Sequence, residues 1–260
     1  MRTAIALALC VASVAQAAPK KKAKKHAPAA TSASASADEP PDPNAKSRFT
    51  MPRDATESPA YHYGQLSRAE CEAELQRRKI RFTRETARGV LAPVRLAGAL
   101  HGVTFHTDLR ERERASSPWE IADCRLVLAM DDFAALLARH DIVEVVHYSM
   151  YRKPPNDWPD DKIGKRHDGA LALDAARFIA RDGSSLDVLR DFHGAIGAKT
   201  CGDDAAPSPV TPEATALRAI LCEAVDARIF NVVLTPNYNK PHANHFHLEV
   251  TSGVKWFLVH

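Results

Sequence analysis

Three histidines fall within six residues in the stretch P-H-A-N-H-F-H-L-E-V, residues 241–250. On a strand, side chains alternate faces, so His245 and His247 project together while Phe246 turns the other way. Two imidazoles with one heading can share a metal, or one can bind it while its neighbour moves protons. Glu249 continues that face. A second cluster, G-K-R-H-D-G-A-L-A-L-D, carries His167 and Asp174 with six residues between them. The small Gly169, Ala170 and Ala172 let the backbone turn tightly there. Zinc accepts histidine nitrogen and carboxylate oxygen at roughly 2 Å in a tetrahedron. His167, Asp174 and one C-terminal histidine make three protein ligands and leave a fourth place for water, the arrangement of a catalytic zinc. Asp168 and Glu249 are competing carboxylates, and H-x-H alone also suits two half-exposed sheet histidines.

The elements that must position these residues are readable in part. S-R-A-E at 67–70 forms a capping box, which starts a short helix and places the beginning of the folded region near Leu66. Residues 80–106 alternate loosely as strands and turns, and R-E-R-E-R at 110–114 is a charged loop. R-L-V-L at 125–128 predicts a strand, and Asp131 predicts the cap of a following helix with Phe133, Leu136 and Leu137 inward. Residues 143–151 predict a strand, and the Pro- and Asp-rich stretch 153–165 a loop. A strand follows at 171–180, closed by the turn R-D-G-S. Thr211 and Pro212 start a helix that runs to about residue 226. Three strands follow, from Ile229, over H-F-H-L-E-V, and over V-K-W-F-L-V. The expectation is a single α+β domain with a small antiparallel or mixed sheet and flanking helices.

The chain of 260 residues is 45% hydrophobic and 26% charged, enough for a substantial core. Residues 1–17 have a basic head, a short apolar run and small residues at Ala15 and Ala17, as in a secretory signal peptide. Residues 18–65 read as a disordered linker, basic and rich in Pro, Ala and Ser. Residues 18–48 hold seven Lys and Arg against three acids, so the net charge of +3 is a property of this tail. The body carries no nucleic-acid signature. The tail suits weak contact with anionic envelope polymers. Localisation is therefore expected to be exported, in the periplasm or outside the cell. Cys71, Cys124, Cys201 and Cys222 remain after processing, an even number that favours two disulfides in an oxidising compartment. Of three pairings, Cys71–Cys124 and Cys201–Cys222 close the more modest loops. No G-x-S-x-G is present, which argues against a serine hydrolase.

Three pieces in order resemble the extensin-like C-terminal family, within the wider group of zinc D-alanyl-D-alanine carboxypeptidases and murein endopeptidases. They are H-Y-S-M-Y-R at 147–152, H-D-G-A-L-A-L-D at 167–174, and V-V-L-T-P-N-Y-N-K-P-H-A-N-H-F-H-L-E at 232–249. The resemblance runs roughly from Cys71 to the C-terminus. It implies that His167, Asp174 and His247 hold Zn2+ and that His245 handles protons as a catalytic group. It implies that Arg152 holds substrate or developing charge and that His242 lines the groove. Tyr148 and Tyr151 lie near the end of the 143–151 strand, where core packing is the alternative role, and Tyr151 is assigned to substrate contact. The implied function is an exported zinc-dependent peptidase or amidase acting on peptidoglycan peptides, with a non-catalytic wall-binding protein as the alternative. Two departures stand out: Asn244 occupies a position where other branches carry glutamate, and Ala170 replaces the glycine of H-x-x-G-x-A-x-D, with Gly169 one place early.

Overall fold

The long central helix differs most from the expectation. In the computed structural model, which describes residues 49–260, the segment expected as a strand followed by a capped helix is one helix. It begins at Cys124 because the Asp123 carboxylate accepts the Arg125 N–H. Every residue of its first two turns is buried, so apolar side chains face all directions and the helical period is blurred there. Asp131 lies inside this helix and pairs with Arg78 at 2.9 Å rather than capping.

In chain order the elements are β1 (Phe49–Thr50), α1 (Pro59–Gln65), α2 (Arg68–Arg77), β2 (Phe82–Arg84), β3 (Pro93–Leu96) and β4 (Thr104–Thr107). Then come α3 (Glu111–Arg114), β5 (Ile121–Asp123), α4 (Cys124–Arg139), β6 (Ile142–His147), β7 (Ala172–Ala180), β8 (Ser185–Asp187) and α5 (Val188–Asp191). The last are α6 (Pro212–Asp226), β9 (Val232–Leu234), β10 (Phe246–Glu249) and β11 (Phe257–Val259). Ordered structure therefore precedes Leu66: Ser58 caps α1, and the Tyr63 hydroxyl of α1 donates to Asp132 of α4. The predicted signal peptide and residues 18–48 of the linker lie outside the described residues. The charged stretch near 110–114 is the single helical turn α3 rather than a loop.

The main sheet runs β1-β11-β9-β10-β7-β6-β4, with β8 also on β7. Pairing is mixed: β9 with β11 and β4 with β6 are parallel, and the others are antiparallel. A second sheet, β2-β3-β5, is antiparallel. The fold is thus one mixed α+β domain with flanking helices.

One register decides the site. His247 of β10 stands directly opposite Asp174 of β7, with Phe246 opposite Ala175 and Leu248 opposite Leu173. Phe246, Leu248, Leu173 and Ala175 enter the main core with Phe133 and Leu137 of α4 and Leu221 of α6. Alternation then sends Asp174, His247 and Glu249 to the opposite face. Both expected disulfides are present: Cys71 of α2 joins Cys124 of α4, and Cys201 joins Cys222 of α6.

Candidate metal centre

The chain between β6 and β7 folds back over this face. Tyr148 N–H donates to the Asp174 carbonyl, Asp174 N–H to the Ser149 carbonyl, and Arg152 N–H to the His167 carbonyl. These bonds bring His167 above Asp174. The displaced glycine has two causes, one at Gly169 and one at Ala170. A methyl on Gly169 would sit 2.4 Å from the Gly164 carbonyl oxygen, so the close approach of the 153–165 loop excludes a side chain there. The left-handed turn falls on Ala170, at φ +52°, where a glycine would be unstrained.

Asp174 is 1% exposed. Its Oδ2 accepts from Arg152 Nη2 at 2.5 Å and from Ser149 Oγ at 3.4 Å, and Arg152 Nε also donates to Ser149 Oγ. Its Oδ1 faces His167 Nε2 at 3.1 Å, His247 Nδ1 at 3.1 Å and His245 Nε2 at 3.4 Å. Each imidazole gives its other nitrogen to an acceptor. His167 Nδ1 meets the Met150 carbonyl at 3.2 Å, His247 Nε2 meets Glu249 Oε2 at 3.2 Å, and His245 Nδ1 meets Asn244 Oδ1 at 2.8 Å. Those outer contacts require N–H donors, so the inner nitrogens of the neutral rings present lone pairs to a carboxylate oxygen. Acceptors converging on an acceptor need a proton or a cation between them.

The donor set fits a metal. One ligand atom each from His167, Asp174 and His247 lies within 4.8 Å of the others, and all three residues are buried. A tetrahedron with bonds of about 2.0–2.1 Å places donors roughly 3.3 Å apart, close to the 3.1 Å from Asp174 Oδ1 to the His167 and His247 nitrogens. His245 is not part of that group, and neither Asp168 nor Glu249 is. Glu249 stands behind His247, on the nitrogen that faces away from Asp174, and its Oε1 accepts from Thr251 Oγ1 at 2.8 Å. This is the carboxylate–imidazole pairing that orients a metal ligand.

The electrostatics follow from the same contacts. Burial alone would raise the Asp174 carboxyl, but His167, His247 and His245 hold it well below the usual range. Burial opposes charge on His247, yet its hydrogen bonds to Asp174 and Glu249 lift it to about 9. Burial lowers His245 to about 4 and His242 to about 3, so both are neutral near pH 7. His242 ends the single 3-10 turn Lys240–His242, with its ring 5.1 Å from His245 and 5.8 Å from His247.

The family model for the extensin-like protein C-terminus matches residues 69–258. The chain belongs to the extensin-like C-terminus family. No curated protein and no solved structure matches it. The extensin-like segment contains all the clustered residues, so the group that could hold a metal belongs to that domain.

Tyr151 requires a correction. It is 4% exposed, packs with Val90, Ile121 and Ala170, and donates its hydroxyl to the Arg88 carbonyl. It is a core residue and not a substrate contact, because β6 ends at His147 and strand alternation does not extend to 151. Tyr148 is the aromatic at the site instead, 45% exposed and edge-on to His245 at 5.7 Å. Met150, Ser149, Asn239 and Asn244 were not singled out from sequence as partners of the site. Their contacts depend on local backbone direction, although Ser149 and Met150 fall within the motif at 147–152 and Asn239 and Asn244 within that at 232–249.

Proposed function

We propose that this extensin-like domain is a zinc-peptidase-like hydrolase, exported to the periplasm or cell exterior, that cleaves amide bonds in peptidoglycan peptides. The observation that carries the reading is the incomplete donor set: three buried ligands converge, while His245 stands beside them outside the group. When bound, zinc lowers the pKa of water toward neutrality and polarises a carbonyl. His167, Asp174 and His247 would hold it. His245, neutral and with Nε2 facing inward, takes the proton of the attacking water and delivers it to the leaving nitrogen. Water oxygen bonds to the carbonyl carbon, the C–N bond breaks, and the amine leaves protonated. Arg152 steadies Asp174, and its partly exposed guanidinium offers further N–H donors to an oxyanion or a substrate carboxylate. His242 and Tyr148 border the space where the substrate backbone lies. Two disulfides suit an oxidising compartment and support export. A basic tail reaching anionic envelope polymers would keep the domain near its substrate.

The absent glutamate at 244 favours a second reading, a wall-binding protein that keeps the metal without turnover. Digestion of purified muropeptides by zinc-loaded wild type, His245→Ala and His247→Ala separates the two. The hydrolase reading expects cleavage by wild type and a loss of about a hundredfold or more in His245→Ala. Cleavage at one rate by all three proteins would remove it. Wall binding without any cleavage would establish the second reading.

A further inference from the structure

A neutral imidazole has two tautomers, and a proton-accepting role at Nε2 demands the one with hydrogen on Nδ1. Nothing in the H-x-H pattern selects it. The selection comes from the residue immediately before. Asn244 leaves the 3-10 turn Lys240–His242 just ahead of β10, and its Oδ1 lies 2.8 Å from His245 Nδ1. The ring is also held in place by Tyr148 at 5.7 Å and His242 at 5.1 Å. We propose that Asn244 is the positioning residue for His245: its amide oxygen fixes the Nδ1–H tautomer and leaves the Nε2 lone pair aimed at the Asp174 side of the centre.

The choice of amide matters. A carboxylate at 244 would add a third negative charge beside a site that already holds Asp174 and Glu249. Asparagine accepts the same hydrogen bond with no net charge. The same device recurs at His242, whose Nδ1 lies 2.6 Å from Asn239 Oδ1. Two asparagine–histidine pairs therefore set the Nδ1–H tautomer on neighbouring rings 5.1 Å apart.

The catalytic consequence rests on the hydrolase reading, but the tautomer does not. The full chain, labelled with 15N at histidine, is examined by long-range 1H–15N correlation at neutral pH, with and without zinc. His245 is expected to show a protonated Nδ1 and an unprotonated Nε2 in wild type. Asn244→Asp, whose carboxylate also accepts, should preserve that pattern, and Asn244→Leu should lose it. Zinc stoichiometry should be equal in all three. On muropeptides, Asn244→Leu should fall by about a hundredfold or more, the usual share of a positioned base, with Asn244→Asp recovering only part of that loss. Hydrogen on Nε2 in wild type, or an unchanged pattern in Asn244→Leu, would overturn the proposal. The wild-type spectrum decides the matter even if the leucine variant does not fold. The predicted tautomers with no cleavage by wild type would reject the hydrolase reading and leave the positioning role standing.

Discussion

Asp123 and Asp174 are carboxylates of one domain, both shut away from water, and their partners divide them. Asp123 caps α4 and receives donors on both oxygens: the Arg125 N–H and Nε on Oδ1, and Arg125 Nη2 and the Ala92 N–H on Oδ2. Asp174 is supplied in this way on Oδ2 alone, by Arg152 and Ser149. Its Oδ1 faces three imidazoles whose outer nitrogens turn to Met150, Asn244 and Glu249, so it is supplied only by a proton held on an inner ring nitrogen, such as that of His247, or by a cation. Burial is common to both residues and so does not distinguish a structural from a functional aspartate. The count of donors does, because a saturated carboxylate has no further use for a cation and a half-saturated one does.

Charge removal at each position breaks the comparison most directly. Asp123→Asn leaves the buried Arg125 without its counter-ion and should cost about 3–5 kcal/mol in urea denaturation. Its folded fraction should bind zinc as wild type does. Asp174→Asn should lower zinc affinity by more than the 10–100-fold that loss of an outer partner costs. Chelator competition reads that affinity. If Asp174→Asn bound zinc normally, the contrast between the two residues would collapse.

Proton exchange sharpens the same contrast. Without a metal, His247 is lifted to about 9 by Asp174 and Glu249 against the effect of burial, so near neutrality it carries a proton toward Asp174. A cation must displace that proton. Calorimetry near pH 7.5 in buffers of different ionisation enthalpy should therefore show about one proton released per zinc bound. Affinity should rise about tenfold per pH unit until about pH 9 and flatten above it. A flat affinity between pH 7 and 9 would mean that no proton occupies the space between His247 and Asp174.

Chemistry-bearing positions were legible where they depend on strand period. His245, His247 and Phe246 needed only alternation, and the pair His167 and Asp174 was recognisable by spacing. The start of α6 at Thr211 and Pro212 was local chemistry and equally plain. The register that sets His247 against Asp174 is a long-range fact that no local pattern carries. Burial on every side hid the start of α4. The pairing shift between Val146 and His147, followed by the end of β6, is what moved Tyr151 into the core and left Tyr148 at the site. Outer partners were least legible, since Asn239, Asn244 and the Met150 carbonyl act through backbone turns between elements.

Ala170 joins the two regions, and its replacement is expected to have the smallest effect. Its carbonyl accepts the Asp123 N–H at 2.8 Å, and its own N–H donates to the His167 carbonyl. Ala170→Gly relieves a left-handed alanine, which costs roughly 1–2 kcal/mol relative to glycine. It also removes a fully buried methyl packed among Val90, Ile121 and Tyr151, a loss of about 0.8 kcal/mol. Greater freedom of glycine in the unfolded chain takes back about 0.4–1 kcal/mol more. The opposing contributions leave stability within about 1 kcal/mol of wild type by thermal or urea unfolding, with zinc affinity unchanged. A gain well beyond that would show that the turn stores strain that the methyl does not offset. A loss well beyond it would show that the methyl anchors the turn to the α4 cap, and zinc affinity should then fall as His167 loses its position.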